Sequence, residues 1–337
     1  MADLAAFSST ATRHGKNYQG GVKVSSLIIL HRLRVENANA VAGLTYGFPA
    51  MTHFLGFTHA LSRRLNNSHS LRLDGCAVVC HACQIHAHAS GRDYRFALMR
   101  NPLTREGKTA PFNEEGRMHM TVSLLMACHG EIANGEYGQN ALADYLAHLC
   151  PTMKLAGGTI VGSTPPHVEV LDWPENTQAL RRIQWRLMPG FALRDRSAWL
   201  VEHLQALRLE DPQATRLDAW LDFAALKMRA ELPQSCSPDS GASAAWRYMP
   251  KPLPGYLVPI MTGWQRISPL YAPGEVVNAR DAQTPFAFVE AVYGVGEWCG
   301  LHRVRAIEDI LWRYHTTGSG YYCGATEPAL HCVEHFD

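Results

Sequence analysis

The chain has 337 residues, 47% of them hydrophobic, enough for one large domain or two medium ones, and this composition excludes wholesale disorder. No apolar run approaches the ~20 residues of a membrane helix, and the first one, at residues 27–30, is too short for a signal-peptide core of roughly 7–15 residues; a cytoplasmic location with no membrane partner is expected. Net charge is only +1, but residues 1–120 carry 14 Lys and Arg against 7 Asp and Glu while the rest carries 17 against 23, so a basic N-terminal part facing an anionic partner is expected.

Residues 1–26 are polar, with Arg13, His14, Lys16 and Lys23, and read as a flexible arm. An apolar strand follows at residues 27–35 and ends in Glu36-Asn37-Ala38-Asn39. A loop punctuated by Gly43, Gly47 and Pro49 leads to Thr52, which suits a helix N-cap. Phe54, Phe57, Leu61 and Leu65 share one face of that helix, and Arg63 and Arg64 fall in its expected last turn. Residues 71–83 read as a strand with Gly75 as a bulge, and residues 118–129 as a second with period-two alternation. The connection between them is rich in Arg, Gly and Pro. Residues 140–150 read as a helix ended by Pro151, and residues 153–161 as a strand interrupted by Gly157-Gly158.

Strand, helix, strand, strand, helix, strand is the βαββαβ order of an α+β, ferredoxin-like (RRM-like) domain, placed at residues 27–170. Its sheet has helices on one face, and RNA-recognition modules of this fold bind on or beside the other. Residues 171–255 read as a helical insertion ending in a flexible Ser/Pro/Gly-rich loop. Residues 256–337 return to the main body, with too few strands to form a core alone.

Several stretches could carry chemistry. Cys80 and Cys83 have C-x2-C spacing and His86 and His88 follow, a donor set that suits zinc, but a regular strand points the two cysteines to opposite faces. Buried thiols and ordinary histidines are the competing reading, and the nine cysteines of the chain lack a disulfide framework. His31, His53, His59 and His81 lie in or near the expected cleft, where a metal-independent ribonuclease would need an acid and a base; no spacing singles out a pair. No GK[ST] follows Gly157-Gly158, so no nucleotide-binding loop is expected, and no cofactor. The connection at residues 91–117 interleaves Arg92, Arg95, Arg100, Arg105, Lys108 and Arg117 with Tyr94, Phe96 and Phe112, which suits phosphate pairing and base stacking. Arg181, Arg182, Trp185 and Arg186 form a second basic patch, fit for RNA or for an acidic protein surface. Trp264, Arg266, Tyr271, Asn278 and Arg280 lie in a Pro/Gly-rich stretch where recognition and packing are both open.

Residues 27–65, with LRVENANAVAGLTYGFPAM at their centre, resemble the Csy-two family, the Cas-five-type subunit of type I-F CRISPR surveillance complexes. Four further stretches match in order: LMRNPLTREGKTAPFNEEGRMHM, RLMPGFAL, SPLYAPGEVVNARD and TPFAFVEAVYGVGEWCGLHRV; together they span most of residues 27–335. The resemblance implies a repeat-associated (RAMP) domain whose connection at about residues 88–118 is a thumb clamping guide RNA. It implies a non-catalytic subunit that binds the 5′ handle of CRISPR RNA. Its partners would be the large subunit and a Cas-seven-type backbone subunit, with target DNA reached through the complex. Asn37 and Asn39 would read base edges, Tyr46 and Phe48 would stack, and His53, Arg63, Arg64, Arg100, Arg105, Lys108, Arg117, Arg182, Arg186, Trp264 and Arg280 complete the expected RNA-binding set. A repeat-cutting endoribonuclease and a zinc-stabilised structural subunit, using Cys80, Cys83, His86 and His88, are the alternatives.

Overall fold

The apolar run at residue 27 opens a strand, β1 (Ser26–Asn39), that continues past its hydrophobic part. Two bulges carry it on, between Leu30 and Leu33 and between Val35 and Ala38, where Arg32 (φ 45°) and Asn37 (φ 55°) take left-handed backbone. The computed structural model describes residues 24–91, 93–231 and 243–325, so residues 1–23 of the expected arm and most of the expected loop near 233–245 lie outside it.

A small hairpin follows, β2 (Val41–Ala42) and β3 (Thr45–Tyr46), and then helix α1 (Met51–His69). Its N-cap is Ala50, with no side-chain bond; Thr52 lies inside the first turn because Met51 is already fully buried in the core. The helix also outruns its apolar stripe, ending at Ser70, so Arg63 and Arg64 sit within it rather than in its last turn. The expected stripe of Phe54, Phe57, Leu61 and Leu65 is buried.

Strand β4 (Arg72–Ile85) has the bulge at Gly75, and β5 (Ala87–Ser90), β6 (Asp93–Phe96), β7 (Leu98–Arg100) and β8 (Phe112–Glu114) lead to β9 (Arg117–His129). Helix α2 (Gly135–Leu149) starts five residues before the expected position 140. Strands β10 (Lys154–Leu155) and β11 (Gly158–Val161) correct the single interrupted strand: Ala156 (φ 51°) and Gly157 (φ 75°) form a two-residue turn that folds the segment back on itself. The chain continues through β12 (Val168–Asp172), α3 (Thr177–Leu187), β13 (Phe191–Asp195), α4 (Ser197–Glu210), α5 (Arg216–Ala224) and the ribbon β14 (Met228–Glu231)–β15 (Ala245–Tyr248). Strands β16 (Tyr256–Arg266), β17 (Val289–Gly300), β18 (Arg313–Thr316) and β19 (Gly320–Gly324) complete it.

One antiparallel sheet runs β10-β11-β1-β9-β4-β13-β17-β16-β19-β18, with β12 also on β1. This mostly antiparallel sheet with few helices is consistent with the α+β expectation. The stretch expected to be only a helical insertion differs: it supplies β13, which sits between β4 and β17 and joins the C-terminal strands to the first ones.

Both sheet faces are packed, for different lengths. On one face α1 and α2 cover Ile28, Leu30, Leu33, Val35, Leu124 and Met126. On the other, α3 and the segment 301–311 cover Leu27, Ile29, Val79, Leu125 and Ala127. This double burial explains the continuous runs LIIL and SLLMA, where alternation fails. It also corrects the expectation of a wholly free second face: that face is open only from Arg32 onward. Among the described residues no helix is long and apolar enough to cross a membrane.

Candidate nucleic-acid interface

The end of β1, the start of β9 and the β10–β11 turn converge on a cleft of about 480 Å³, lined by Asn39, Val41, His53, Glu115, Gly116, Arg117, Ala156 and Gly157. The backbone closes it. Asn39 N–H donates to Ala156 O at 2.8 Å, and Ala40 N–H to Gly116 O at 2.8 Å. Gly158 packs so tightly on β1 that a Cβ would lie 2.7 Å from Glu36 O.

The polar groups of the cleft are largely neutral or neutralised. Arg117 is bound to Glu115 at 2.6 and 2.8 Å. Burial pushes the His53 pKa below the ordinary histidine value, leaving a neutral ring with one donor and one acceptor. The Asn39 amide is occupied by its own loop, donating to Val41 O at 2.8 Å and accepting from Val41 N–H at 3.1 Å. Peptide groups, an imidazole and a compensated guanidinium suit an uncharged polar ring, such as a nucleobase, better than a bare phosphate.

Charge gathers instead on the open half-face beside it. Met118, Met120 and Val122 point into the core, so His119, Thr121 and Ser123 point to the other side. Arg34 lies opposite Thr121, is 70% exposed and pairs with Glu36 at 2.9 Å. Lys154 reaches Thr159 at 2.6 Å, and Thr159 lies opposite Glu36. Asn37 N–H donates to His119 Nδ1 at 3.2 Å, and the His119 and His86 rings stand 4.2 Å apart. The boundary with the covered half is pinned. Ser123 Oγ accepts from Arg32 N–H at 2.9 Å and meets His81 Nε2 at 2.7 Å. His81 Nδ1 and Arg32 Nη2 hold the carbonyls of Pro189 and Met188 at 2.7 and 2.9 Å. Arg32, Arg34 and Lys154 were missed from sequence; the signal was present, since both arginines alternate with buried Leu33 and Val35.

The connection between β4 and β9 is not one long hairpin. It is two, β5–β6 and β7–β8, meeting where Ala97 N–H donates to His86 O at 2.9 Å and His86 N–H to Arg117 O at 2.8 Å. Left-handed Gly91 and Gly107 make two reversals instead of one. Arg100 stacks 4.1 Å over Phe112, which is itself 60% exposed. Arg105 and Lys108 are exposed in the second tip, Tyr46 rests edge-on against Phe96 at 5.5 Å, and Arg92 lies outside the described residues.

Other expected residues are dispersed. Phe48 is half-buried and packs against the core between Phe54 and Trp298, at 5.5 and 4.9 Å. Arg63 and Arg64 are exposed on α1, about 15 Å along the helix from His53. Arg186 is committed to Glu169 at 3.0 Å, while Arg182 stays exposed on α3. Trp264 stacks on Tyr321 at 6.4 Å, on the distant strands β16 and β19, and Arg280 is exposed in the β16–β17 connection.

A bulge at Cys80–Ala82 overturns the strand argument about the cysteines. It puts both thiols on one face of an apolar groove of about 710 Å³ that also holds Tyr46, Phe48, Tyr256 and Trp298. The Cys80 thiol donates to Ala82 O at 3.7 Å, and its nearness to Cys83 lowers the Cys83 pKa. His86 turns to His119 and His88 lies on β5, so the four form no metal-holding group.

The fold and this surface define an α+β protein built on one long antiparallel sheet, with a cation-bearing open half-face running into a polar cleft. Residues 28–323 match the family described as CRISPR-associated protein (Cas_Csy2). The chain is also 43% identical, over 302 residues covering 86% of it and 91% of the relative, to CRISPR-associated protein Csy2 of Pseudomonas aeruginosa (strain UCBPP-PA14). The chain therefore belongs to the CRISPR-associated Csy2 family.

Proposed function

We propose that this chain is the non-catalytic subunit of a type I-F CRISPR surveillance complex that binds the 5′ handle of CRISPR RNA. The observation that carries the reading is the junction of the open half-face with the cleft. Arg34, Lys154 and Arg32 line a path for phosphates, and the path ends at a pocket whose groups suit a splayed base. The order β11-β1-β9-β4, with α1 and α2 on one face, supports a ferredoxin-like core of the repeat-associated type. The two arginine-bearing hairpins act as the thumb.

Exposed apolar side chains support protein partners. Ile267, Leu270, Val277 and Phe288 lie in or beside the β16–β17 connection, and Trp246 and Tyr248 on the β14–β15 ribbon. In this reading such surfaces take the large subunit and the first backbone subunit, in the cytoplasm, and target DNA is met through the assembly.

The test is purification of the tagged chain with its neighbouring genes and a repeat array, followed by crosslinking of the bound RNA. A guide-length RNA crosslinked near residues 32–39, 115–121 and 154–159 is expected, and Arg34→Ala with Lys154→Ala weakens it. Assembly without RNA would make the chain a protein scaffold. Discrete repeat cleavage by the chain alone, lost in His119→Ala, would replace the proposal with an endoribonuclease.

A further inference from the structure

Glu169 projects from β12 opposite Ile29, on the face that α3 covers. Its carboxylate spans two imidazoles. Oε2 lies 3.0 Å from His31 Nε2, and Oε1 lies 3.4 Å from His167 Nε2. The two rings are 4.8 Å apart between centroids, and the backbone bond from His31 N–H to His167 O, 2.9 Å, fixes their two segments together. All three donor atoms fall within 4.8 Å of one another. The RNA-binding reading uses none of these three groups.

We propose that His31, His167 and Glu169 form a zinc site. In a tetrahedral zinc centre with N and O ligands at about 2.0–2.1 Å, neighbouring donor atoms are about 3.3–3.4 Å apart. His31 Nε2 lies 3.0 Å from one carboxylate oxygen and His167 Nε2 3.4 Å from the other, near that spacing, so a small turn of the carboxylate sets a single oxygen beside both rings. Two imidazoles and one carboxylate leave a fourth position open, on the side where His167 is 67% exposed.

Arg186, 3.0 Å from Oε2, is the competing cation. Its side chain is 47% exposed, so it can turn to solvent as the ion enters and add a free cation to the Arg181–Arg182 surface of α3.

The probe is zinc alone, titrated against a chelating dye into the full chain after removal of metal with EDTA. One equivalent is expected to bind. His167→Ala, at an exposed position that does not threaten folding, lowers the affinity at least about 10-fold. Glu169→Gln does the same, Arg186→Gln tightens binding, and Cys83→Ser leaves it unchanged. X-ray absorption of the loaded chain shows nitrogen and oxygen neighbours at about 2.0–2.1 Å and no sulfur at about 2.3 Å. Absence of stoichiometric zinc overturns the site. So does binding that survives His167→Ala but is lost in Cys83→Ser, which places the ion on the thiols.

Discussion

A methyl group at Gly158 would meet the Glu36 carbonyl oxygen at 2.7 Å and the Ala38 nitrogen at 2.9 Å, both backbone atoms of β1 that have nowhere to go. Gly158→Ala therefore forces β11 away from β1 and is expected to cost about 1–3 kcal/mol in urea unfolding. The same shift moves the Ala156–Gly157 turn out of the cleft. His53, on the opposite wall, ties stability to pH. Burial lowers its folded pKa below the unfolded value near 6.5, so the neutral ring's contribution is present above that value and is lost as pH falls through the folded pKa. Unfolding measured between pH 7 and pH 5 shows this loss, and His53→Gln flattens that part of the curve.

At the scale of elements, the paired hairpins β5–β6 and β7–β8 carry arginines and aromatic groups side by side, Arg95 beside Tyr94 and Arg100 beside Phe112, with Arg105 and Lys108 in the exposed second tip. Arg100 is ordered over Phe112, whereas Arg105 sits in the exposed tip. If the hairpins clamp RNA, Arg100→Ala with Arg105→Ala weakens binding and shallows the salt dependence. Each lost phosphate contact removes about 0.7 from the slope of log K against log salt for a single strand. Unchanged affinity and slope in a filter-binding titration would remove the hairpins from the interface. Elements of this kind mark the limit of sequence reading. Strands β1, β4 and β9 are legible from their continuous apolar runs, and the buried stripe of α1 from its helical period. The bulges at Arg32, Asn37 and Ala82 shift the period, so they hid the true end of β1 and the common face of Cys80 and Cys83. The turn at Ala156–Gly157 was hidden because the left-handed residue before the glycine is an alanine.

The whole molecule depends on a few long-range side chains. Trp312 is fully buried, donates from Nε1 to Leu193 O at 2.9 Å, and its backbone bridges Cys76. It touches the first strands and the later ones at once. Trp312→Ala is expected to lose about 3–5 kcal/mol in chemical denaturation. Of the residues singled out in the sequence, Asn39, His53 and Arg117 line one cleft at the end of β1, while Asn37 turns to His119. Phe48 and Arg186 have partners inside the protein that the sequence does not show, for one physical reason. An aromatic ring or a guanidinium is equally fit for a ligand and for the protein itself, and only the tertiary partners, Trp298 and Glu169, decide.

The sheet is not equally strong along its width. Strands β4 and β9 share twelve residue pairs, whereas β4 and β13 share two, Phe191–Cys80 and Ala192–Val79. Under tension applied across the sheet, rungs part where they are fewest. The molecule thus carries a tear line beside the Cys80–Cys83 groove, with Trp312 as its rivet. Neighbours gripping opposite halves would strain that line first, while the strands on either side kept their register.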